Sequence, residues 1–155
     1  MKLLIPLLGK TKEPFLDNGI REYTARLSRF VTVELPVLRE QRHRKTADDV
    51  IRAAEAAQLL GQATTASLCL ALDPNGVMVN SDEMADMLSQ WRLQGLGTIC
   101  FFIGGHLGLH SSVVDRADQI LSLSRLTFTH EMTRMILLEQ LYRASTIIAG
   151  HKYHK

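Results

Sequence analysis

Three glycines, Gly104, Gly105 and Gly108, follow directly after an apolar run at residues 99–103. A glycine has no Cβ, so the backbone beside it can approach a ligand closely. The run has no polar residue to mark a solvent-facing side, which is typical of a strand buried on both faces of a parallel sheet. Ligands bind at the carboxyl ends of strands in open α/β sheets, so we expect a site here. The spacing fits a tight strand-to-helix turn equally well, because neither the dinucleotide nor the P-loop fingerprint is present.

A second group of candidate residues lies on the last helical segment, residues 131–149. Glu139 and Arg143 are four residues apart, so they share one face of a helix and can form an ion pair. If the pair has no catalytic or binding role, it is a surface ion pair that contributes little to stability. Apolar residues occupy more than one side of the segment, however, so we expect it to be buried, and a second subunit is one candidate cover.

Positive charge is concentrated in two segments, R-E-Q-R-H-R-K at residues 39–45 and H-K-Y-H-K at residues 151–155. The first segment fits a solvated connector and a phosphate-binding arm equally well. Lys and Arg number 18 and Asp and Glu number 16, and the resulting net charge of +2 is too small to indicate nucleic-acid binding by itself.

Metal, disulfide and membrane chemistry have little support in the sequence. The six histidines form no H-E-x-x-H motif and no zinc-type cluster with cysteine. Cys69 and Cys100 each lie within an apolar run, which favours reduced core thiols in a reducing compartment. The apolar start of the chain is too short to span a membrane and lacks a signal-peptidase site. We therefore expect a cytoplasmic protein with no metal and no membrane attachment.

The elements that must position these residues alternate between strand and helix. Strands are predicted at residues 2–8, 30–38, 67–72, 98–103 and 119–123. The first helix is predicted from Glu13-Pro14 onward, and the second runs from an N-cap at Thr46 to a stop at Gly61. The third runs from Ser81 to Trp91 and ends near Gly95. The fourth is capped by Ser111 or Ser112 and runs to Ala117, and the fifth covers residues 131–149. The D-P-N-G sequence at residues 73–76 predicts a turn. This alternation predicts an α/β fold with a mostly parallel sheet and helices on both faces, in a single domain over residues 1–155.

The order and spacing of several motifs resemble the ribosomal RNA large subunit methyltransferase H family of the SPOUT superfamily. These motifs are L-G-K-T-K-E at 8–13, I-R-E-Y at 20–23, F-I-G-G at 102–105, L-S-L-S-R-L-T-F at 121–128, His130, R-M-I-L-L-E-Q-L-Y-R-A at 134–144 and the terminal Y-H-K. The resemblance covers essentially the whole chain. Two departures concern His106 with Leu107, within the glycine segment, and Thr129, which stands where the family usually has a proline with its fixed φ.

The resemblance implies a C-terminal trefoil knot whose loops bind S-adenosylmethionine. Carried over residue by residue, the cofactor-binding positions are Leu72, Gly104, Leu123, Ser124, Arg125, Leu126, Thr127 and Phe128. It also implies a homodimer in which the tail of one subunit approaches the cofactor of the other. The candidates around the target base are Glu139, Arg143, Tyr153, His154 and Lys155, and the general base among them stays open.

The substrate implied by the resemblance is N3 of a pseudouridine in 23S ribosomal RNA, methylated in the ribosome. Two alternatives remain open at this point. One is a SPOUT methyltransferase that acts on transfer RNA or another nucleoside. The other is a catalytically silent RNA-binding α/β protein, which calorimetry with S-adenosylmethionine would separate from an enzyme.

Overall fold

The computed structural model describes residues 1–41, 47–151 and 153. Its strands are β1 (Lys2–Leu4), β2 (Leu7–Leu8), β3 (Thr32–Glu34), β4 (Val37–Leu38), β5 (Leu68–Met78), β6 (Thr98–Phe102) and β7 (Gln119–Ser122). Its helices are α1 (Pro14–Leu27), α2 (Asp48–Gln62), α3 (Ser81–Leu93), α4 (Ser111–Arg116) and α5 (His130–Ile148).

Five of the strands form one sheet in the order β3-β1-β6-β5-β7, and every neighbouring pair in it is parallel. The short strands β2 and β4 form a separate parallel pair. The strand β6 lies in the middle of the large sheet, and residues 99–102 are fully buried. The predicted α/β fold with a parallel sheet is confirmed, and the apolar run is the central strand because both of its faces are covered.

Helices cover both faces of the sheet, as predicted. On one face, Ile99 and Phe101 of β6 belong to a core shared with α1, α3 and α5. On the other face, Cys100 and Phe102 belong to a second core shared with α2 and α4. Successive residues of a strand point to opposite faces, so a continuously apolar strand supplies both cores at once. Cys69 pairs with Cys100 in the sheet register and both are fully buried, as expected for core thiols.

Prolines split two of the predicted strands. The predicted strand at 2–8 is interrupted before β2, and the one at 30–38 is interrupted before β4, with Pro6 and Pro36 in the gaps. Proline has no N–H to donate to a sheet ladder, so regular pairing stops there. The two segments still run side by side, because Ile5 N donates to Glu34 O at 2.9 Å and Leu7 N donates to Pro36 O at 2.9 Å.

The D-P-N-G sequence is not a turn that ends the third strand, so that prediction is wrong. It lies within β5, where Leu72 and Val77 both pair with Leu121 of β7 and the intervening residues bulge out. A hydrogen bond typical of a turn is still present inside the bulge, since Asp73 Oδ1 accepts from Asn75 N at 2.9 Å. The sequence predicted the local bend correctly, but it could not show that the chain rejoins the same neighbour afterwards.

Several helix ends differ from prediction by one or two residues. Gly61 lies inside α2, which continues to Gln62. The predicted N-cap Thr46 falls outside the described residues, and the residue before the helix is Ala47. The N-cap of α3 is Asn80, one residue before the predicted start at Ser81. The N-cap of α4 is His110, not the predicted Ser111 or Ser112. Competing polar residues at adjacent positions make such ends hard to predict.

Candidate functional site

A cavity of about 210 Å³ opens where β5 bulges and where the chain leaves β6 and β7. Its walls come from three segments and the first turn of α5: Leu72, Asp73, Pro74, Ile103, Gly104, Gly105, His106, Gly108, Leu109, Ser122, Leu123, Ser124, Leu126, Thr127, Phe128, His130 and Thr133. The parallel sheet brings these segments together because β5 lies between β6 and β7. The cavity therefore lies at the carboxyl side of adjacent strands, where α/β sheets bind ligands.

The structure brings seven of the eight predicted cofactor-binding residues to this cavity. They are Leu72, Gly104, Leu123, Ser124, Leu126, Thr127 and Phe128. Arg125 does not line it, and its side chain is exposed to solvent. Leu126 exposes 72% of its surface, so the apolar wall is open to solvent on the side of this loop.

The glycine segment after β6 folds tightly on itself. A Cβ added to Gly104 would lie 2.5 Å from the carbonyl carbon of Gly108 and 2.7 Å from the amide nitrogen of Leu109. Both atoms belong to the backbone, so no other residue fits without displacing the loop. Gly108 has φ +80° and donates its N–H to Gly105 O at 3.1 Å. The sequence suggested that Gly104 lets a ligand approach the backbone closely. In the structure, Gly104 also lets the loop pack closely against its own backbone.

The loop after β7 is held in shape by its serines. Ser122 Oγ donates to the carbonyl oxygen of Ser124 at 2.9 Å, and Ser124 Oγ accepts from Leu126 N at 3.0 Å. These bonds satisfy the side chains within the loop itself. The loop can therefore present a defined backbone to the cavity.

Thr129 compensates for the missing proline at the start of α5. Its φ is −64°, within the range that a proline ring would impose, and its Oγ1 accepts from Met132 N at 3.2 Å as an N-cap. The next residue, His130, lines the cavity, and burial together with the charge of Arg134 lowers the pKa of its imidazole below the usual 6.5.

Two buried charged residues of α5 hold the loop that follows β2. Arg134 is 1% exposed and donates from Nη2 to Leu8 O at 2.6 Å and from Nη1 to Thr11 Oγ1 at 3.1 Å. Glu131 accepts hydrogen bonds from the backbone N–H groups of Lys12 and Glu13, at 3.0 and 3.2 Å. Together they tie the N-terminal part of the chain to the helix that borders the cavity.

Three of the five predicted catalytic residues form a second cluster, further along α5. Arg143 donates to Glu139 Oε1 from Nη2 at 2.6 Å and from Nε at 3.1 Å, and this pairing raises the pKa of the guanidinium. Tyr153 donates from its hydroxyl to the same oxygen at 3.3 Å, and its ring lies 5.0 Å from the Arg143 guanidinium. Burial, followed by the contacts with Tyr23 and Glu139, raises the pKa of Tyr153. His154 and Lys155 lie outside the described residues.

The other carboxylate oxygen of Glu139, Oε2, also accepts a hydrogen bond. Gln140 Nε2 donates to Glu139 Oε2 at 2.5 Å, while Ser81 Oγ donates to Gln140 Oε1 at 3.0 Å. The serine hydroxyl therefore fixes which end of the Gln140 amide faces the carboxylate. No property of the sequence pointed to this support, because Ser81 and Gln140 are 59 residues apart.

The cavity and the second cluster do not meet within one chain. Thr133 is the last residue of α5 that lines the cavity, and Glu139, Arg143 and Tyr153 are not among the lining residues. A helix rises about 1.5 Å per residue, so Glu139 lies roughly 9 Å further along the helix axis than Thr133. The two sets of predicted site residues are each assembled, but they are separated from one another.

Ten of the lining residues were not among the predicted cofactor-binding positions. They are Asp73, Pro74, Ile103, Gly105, His106, Gly108, Leu109, Ser122, His130 and Thr133. Gly105 and Gly108 belong to the segment where the sequence predicted a ligand site, but only Gly104 of that segment was named as a cofactor contact. The position of 73–74 and 103 beside predicted strand ends is a signal that could have indicated several of the others. Thr133 carries no such signal, because only the packing of α5 brings it to the cavity.

The described part of the chain offers neither a metal-binding cluster nor a membrane-spanning helix. Within residues 1–41, 47–151 and 153, no group of three or more His, Cys, Asp or Glu side chains could hold a metal ion. Over the same residues, none of the helices combines the length and the apolar character that crossing a membrane requires.

The fold and the family comparison agree on the class of protein. The family model described as "Predicted SPOUT methyltransferase" matches residues 1–154. A solved structure of a probable methylase family protein from Haemophilus influenzae Rd KW20 superposes with a TM-score of 0.57 at 12% identity, over 99% of this chain and 70% of that one. A probable methyltransferase from Bordetella pertussis Tohama I gives a TM-score of 0.55 at 10% identity, over 92% of this chain and 94% of that one. At such identities the two structures show a shared fold, and the family model shows that the class is that of SPOUT methyltransferases.

Sequence relatives narrow the class further. The chain is 42% identical over 155 residues to the ribosomal RNA large subunit methyltransferase H of Desulfotalea psychrophila, and the match covers 100% of both chains. It is 39% identical over 159 residues to the protein of the same name from Clostridioides difficile, again over 100% of both. The chain belongs to the ribosomal RNA large subunit methyltransferase H family, and the resemblance noted in its motifs is confirmed.

Proposed function

We propose that this protein transfers a methyl group from S-adenosylmethionine to N3 of a pseudouridine in 23S ribosomal RNA. The observation that carries the proposal is the cavity beside β5, β6 and β7, where seven of the eight residues predicted to bind the cofactor meet. The chain that forms this cavity is 42% identical, over its full length, to a relative named for the methylation of large-subunit ribosomal RNA.

The residues of the cavity suit S-adenosylmethionine, which supplies an electrophilic methyl group on a positively charged sulfur when bound. Leu72, Leu123 and Phe128 offer apolar walls for a flat adenine ring. The glycine segment, packed on its own backbone at Gly104, exposes main chain to the cavity at Gly104, Gly105 and Gly108. Main-chain amides and carbonyls of such loops can hydrogen-bond the polar edge of the ring and the ribose.

The second cluster suits the other half of the chemistry, in which the imide N–H of the base must lose its proton. Arg143 is cationic at neutral pH, as arginines are, and its pairing with Glu139 raises its pKa further, so a fixed positive charge beside the base favours the anion. Tyr153 is protonated near neutral pH even at the usual tyrosine pKa, which burial raises further here, so it acts as a hydrogen-bond donor rather than as a base. Glu139, His154 and Lys155 remain the candidates for the proton acceptor.

We further propose that two chains build each active site, as a homodimer, and that the segments around the cavity form a trefoil knot. The separation of the cavity from Glu139, Arg143 and Tyr153 within one chain supports an active site built from two chains. The size of the cavity supports it too, because sites for ligands of this size usually measure about 300–1,000 Å³. In a dimer, the tail of one subunit would approach the cofactor cavity of the other, in the cytoplasm and on the ribosome.

The test is methyl transfer with purified components. Purified protein, labelled S-adenosylmethionine and large ribosomal subunits from cells that lack the protein should yield label in 23S ribosomal RNA. Nuclease digestion and mass spectrometry should then place the label on a pseudouridine, in a product that co-elutes with an N3-methylpseudouridine standard. Label in transfer RNA instead would support the first alternative, and cofactor binding without any transfer to RNA would support neither enzyme assignment.

A further inference from the structure

A buried carboxyl group lies directly behind the glycine wall of the cavity. Glu55 of α2 is 2% exposed, and neither of its carboxyl oxygens has a hydrogen-bond partner among the residues that the structure describes. A buried carboxyl without partners is costly, and native proteins seldom keep one without a use. The position of Glu55 is therefore more informative than that of an ordinary helix glutamate.

The contact with Gly105 places this carboxyl beside the cavity. A Cβ added to Gly105 would lie 2.7 Å from Glu55 Oε2 and 3.2 Å from Oε1, so the missing side chain of the glycine is what makes room for the carboxyl. Gly105 and the following His106 line the cavity from the other side. A single layer of backbone thus separates Glu55 from whatever occupies the cavity.

Among the residues that the structure describes, no basic side chain forms a direct ion pair with Glu55. Burial raises the pKa of Glu55 above the usual 4.5, the charge of His106 lowers it, and Glu40 raises it. Arg52, one turn earlier on α2, donates to Asp49 at 3.0 Å instead. The backbone of Gln41 lowers the pKa of Glu55 and so offsets part of this rise. A positive charge in the cavity would therefore interact with a carboxyl that has little competing compensation in the described structure.

We propose that Glu55 makes the cavity selective for charge, so that it prefers the cationic cofactor S-adenosylmethionine to the neutral product S-adenosylhomocysteine. The proposal rests on the proposed function, because it takes this cavity as the cofactor site. The two molecules differ by one methyl group and one positive charge, so a nearby carboxylate in a poorly hydrated setting is a direct means to tell them apart. Selectivity of this kind would help the product to leave after each transfer.

The same geometry links cofactor binding to pH. A cation favours the ionised form of a neighbouring carboxyl, so its binding lowers the pKa of Glu55 and releases a proton. The affinity for S-adenosylmethionine should accordingly rise as the pH is raised through the pKa of Glu55 in the free protein, which lies above 4.5. The affinity for S-adenosylhomocysteine should change much less, since it brings no charge on sulfur.

Isothermal titration calorimetry with both ligands tests the proposal. Glu55→Gln keeps the shape of the side chain and removes its charge. It should lower the affinity for S-adenosylmethionine by about tenfold and change the affinity for S-adenosylhomocysteine by less than about threefold. Glu34→Gln is the matched control, because Glu34 lies on β3, at the opposite edge of the sheet from β7, and it should change neither affinity. Equal losses for both ligands, or no loss, would overturn the proposal, whereas an unaltered protein that binds neither ligand would overturn the proposed function itself.

The unaltered protein provides a second measurement if Glu55→Gln does not fold. Its preference for S-adenosylmethionine over S-adenosylhomocysteine should increase from acidic to neutral pH. The increase should persist in His106→Gln and in His130→Gln, each of which removes one of the two histidines that line the cavity. A preference that is independent of pH in the unaltered protein, or a pH dependence that disappears in either histidine variant, would contradict a role for Glu55.

Discussion

Glu139 Oε1 and Arg143 are joined by two hydrogen bonds, from Nη2 at 2.6 Å and from Nε at 3.1 Å. The hydroxyl of Tyr153 adds a third donor to the same oxygen, and the Tyr153 ring lies over the guanidinium. The pair therefore fixes both the position of a cation and the start of the C-terminal tail. This links the last helix to the residues that are proposed to meet the target base.

The first prediction concerns deletion of residues 153–155. Tyr153 contacts Tyr142 and Arg143 at the surface of α5, so few core contacts are lost, and the melting temperature should change little. Calorimetry should show nearly unchanged binding of S-adenosylmethionine, because no described residue of this tail lines the cavity. Methylation of ribosomes should nearly vanish, since the base is no longer positioned. Full-rate methylation by the truncated protein would remove the tail from the active site.

The second prediction concerns the shared site. A Gly104→Val chain, with its cavity damaged, and a chain that lacks residues 153–155 should each be inactive alone. When the two are co-expressed, mixed dimers contain one intact site, so random assembly should restore about a quarter of the normal activity. Sedimentation should meanwhile show about twice the 17.4 kDa monomer mass. Absence of restored activity in purified mixed dimers would mean that each chain builds its own site.

The third prediction concerns the glycine segment. Gly104→Ala should lower both the melting temperature and the affinity for S-adenosylmethionine, because its Cβ would lie 2.5 Å from backbone of the same loop. Gly61→Ala is the matched control, since Gly61 lies inside α2 with nothing within 4 Å of an added Cβ. Alanine is favoured over glycine within a helix by up to about 1 kcal/mol, so the control should be as stable as the parent or more stable. A Gly104→Ala protein with normal stability and affinity would contradict the described loop geometry.

The fourth prediction concerns the buried Arg134. Arg134→Met should cost about 2–4 kcal/mol in the free energy of unfolding, measured with urea, because Leu8 O and Thr11 Oγ1 lose their donor in a buried setting. Arg21→Met provides the comparison, since Arg21 is exposed on α1 and forms an ion pair with Asp17, and such an exposed pair should be worth less than about 1 kcal/mol. Similar losses in the two variants would mean that Arg134 does not hold the N-terminal loop.

The fifth prediction concerns pH. The pKa of His130 is lowered in the folded protein, so the unfolded chain binds a proton more readily below pH 6.5. Stability should therefore fall as the pH drops from about 6.5 toward the lower pKa of the folded state. His130→Gln should flatten this part of the stability curve, which can be measured as melting temperature against pH. An unchanged slope would show that the imidazole is not disfavoured in its charged form.

The sequence was sufficient for the architecture because the physics of the elements is local. The alternation of apolar runs with amphipathic segments predicted the described helices and the strands of the main sheet, although β5 continues to Met78 rather than ending at Leu72. The errors lie where local signals compete with distant pairing. Pro6 and Pro36 interrupt two strands, and the bend at 73–76 sits inside β5 because β7 offers a partner on both sides of it.

The candidate site was predictable only in part. The glycines after β6 indicated a ligand site on physical grounds, whereas the loop at 123–128 and the tail were reached through resemblance to a family. Glu55 had no sequence signal, because burial of one helix residue behind Gly105 depends on how α2 packs against the loop. Pairs that are far apart in the chain, such as Ser81 and Gln140, are decided by tertiary packing rather than by local pattern.

The most direct test of the proposed function is mass spectrometry of 23S ribosomal RNA from cells with and without this protein. The proposal predicts that one pseudouridine carries a methyl group at N3 in the parent cells and lacks it in the deletion strain. A plasmid copy of the gene should restore the methyl group, and a copy that lacks residues 153–155 should not. An unchanged set of methylated nucleotides in 23S ribosomal RNA from the deletion strain would contradict the proposal.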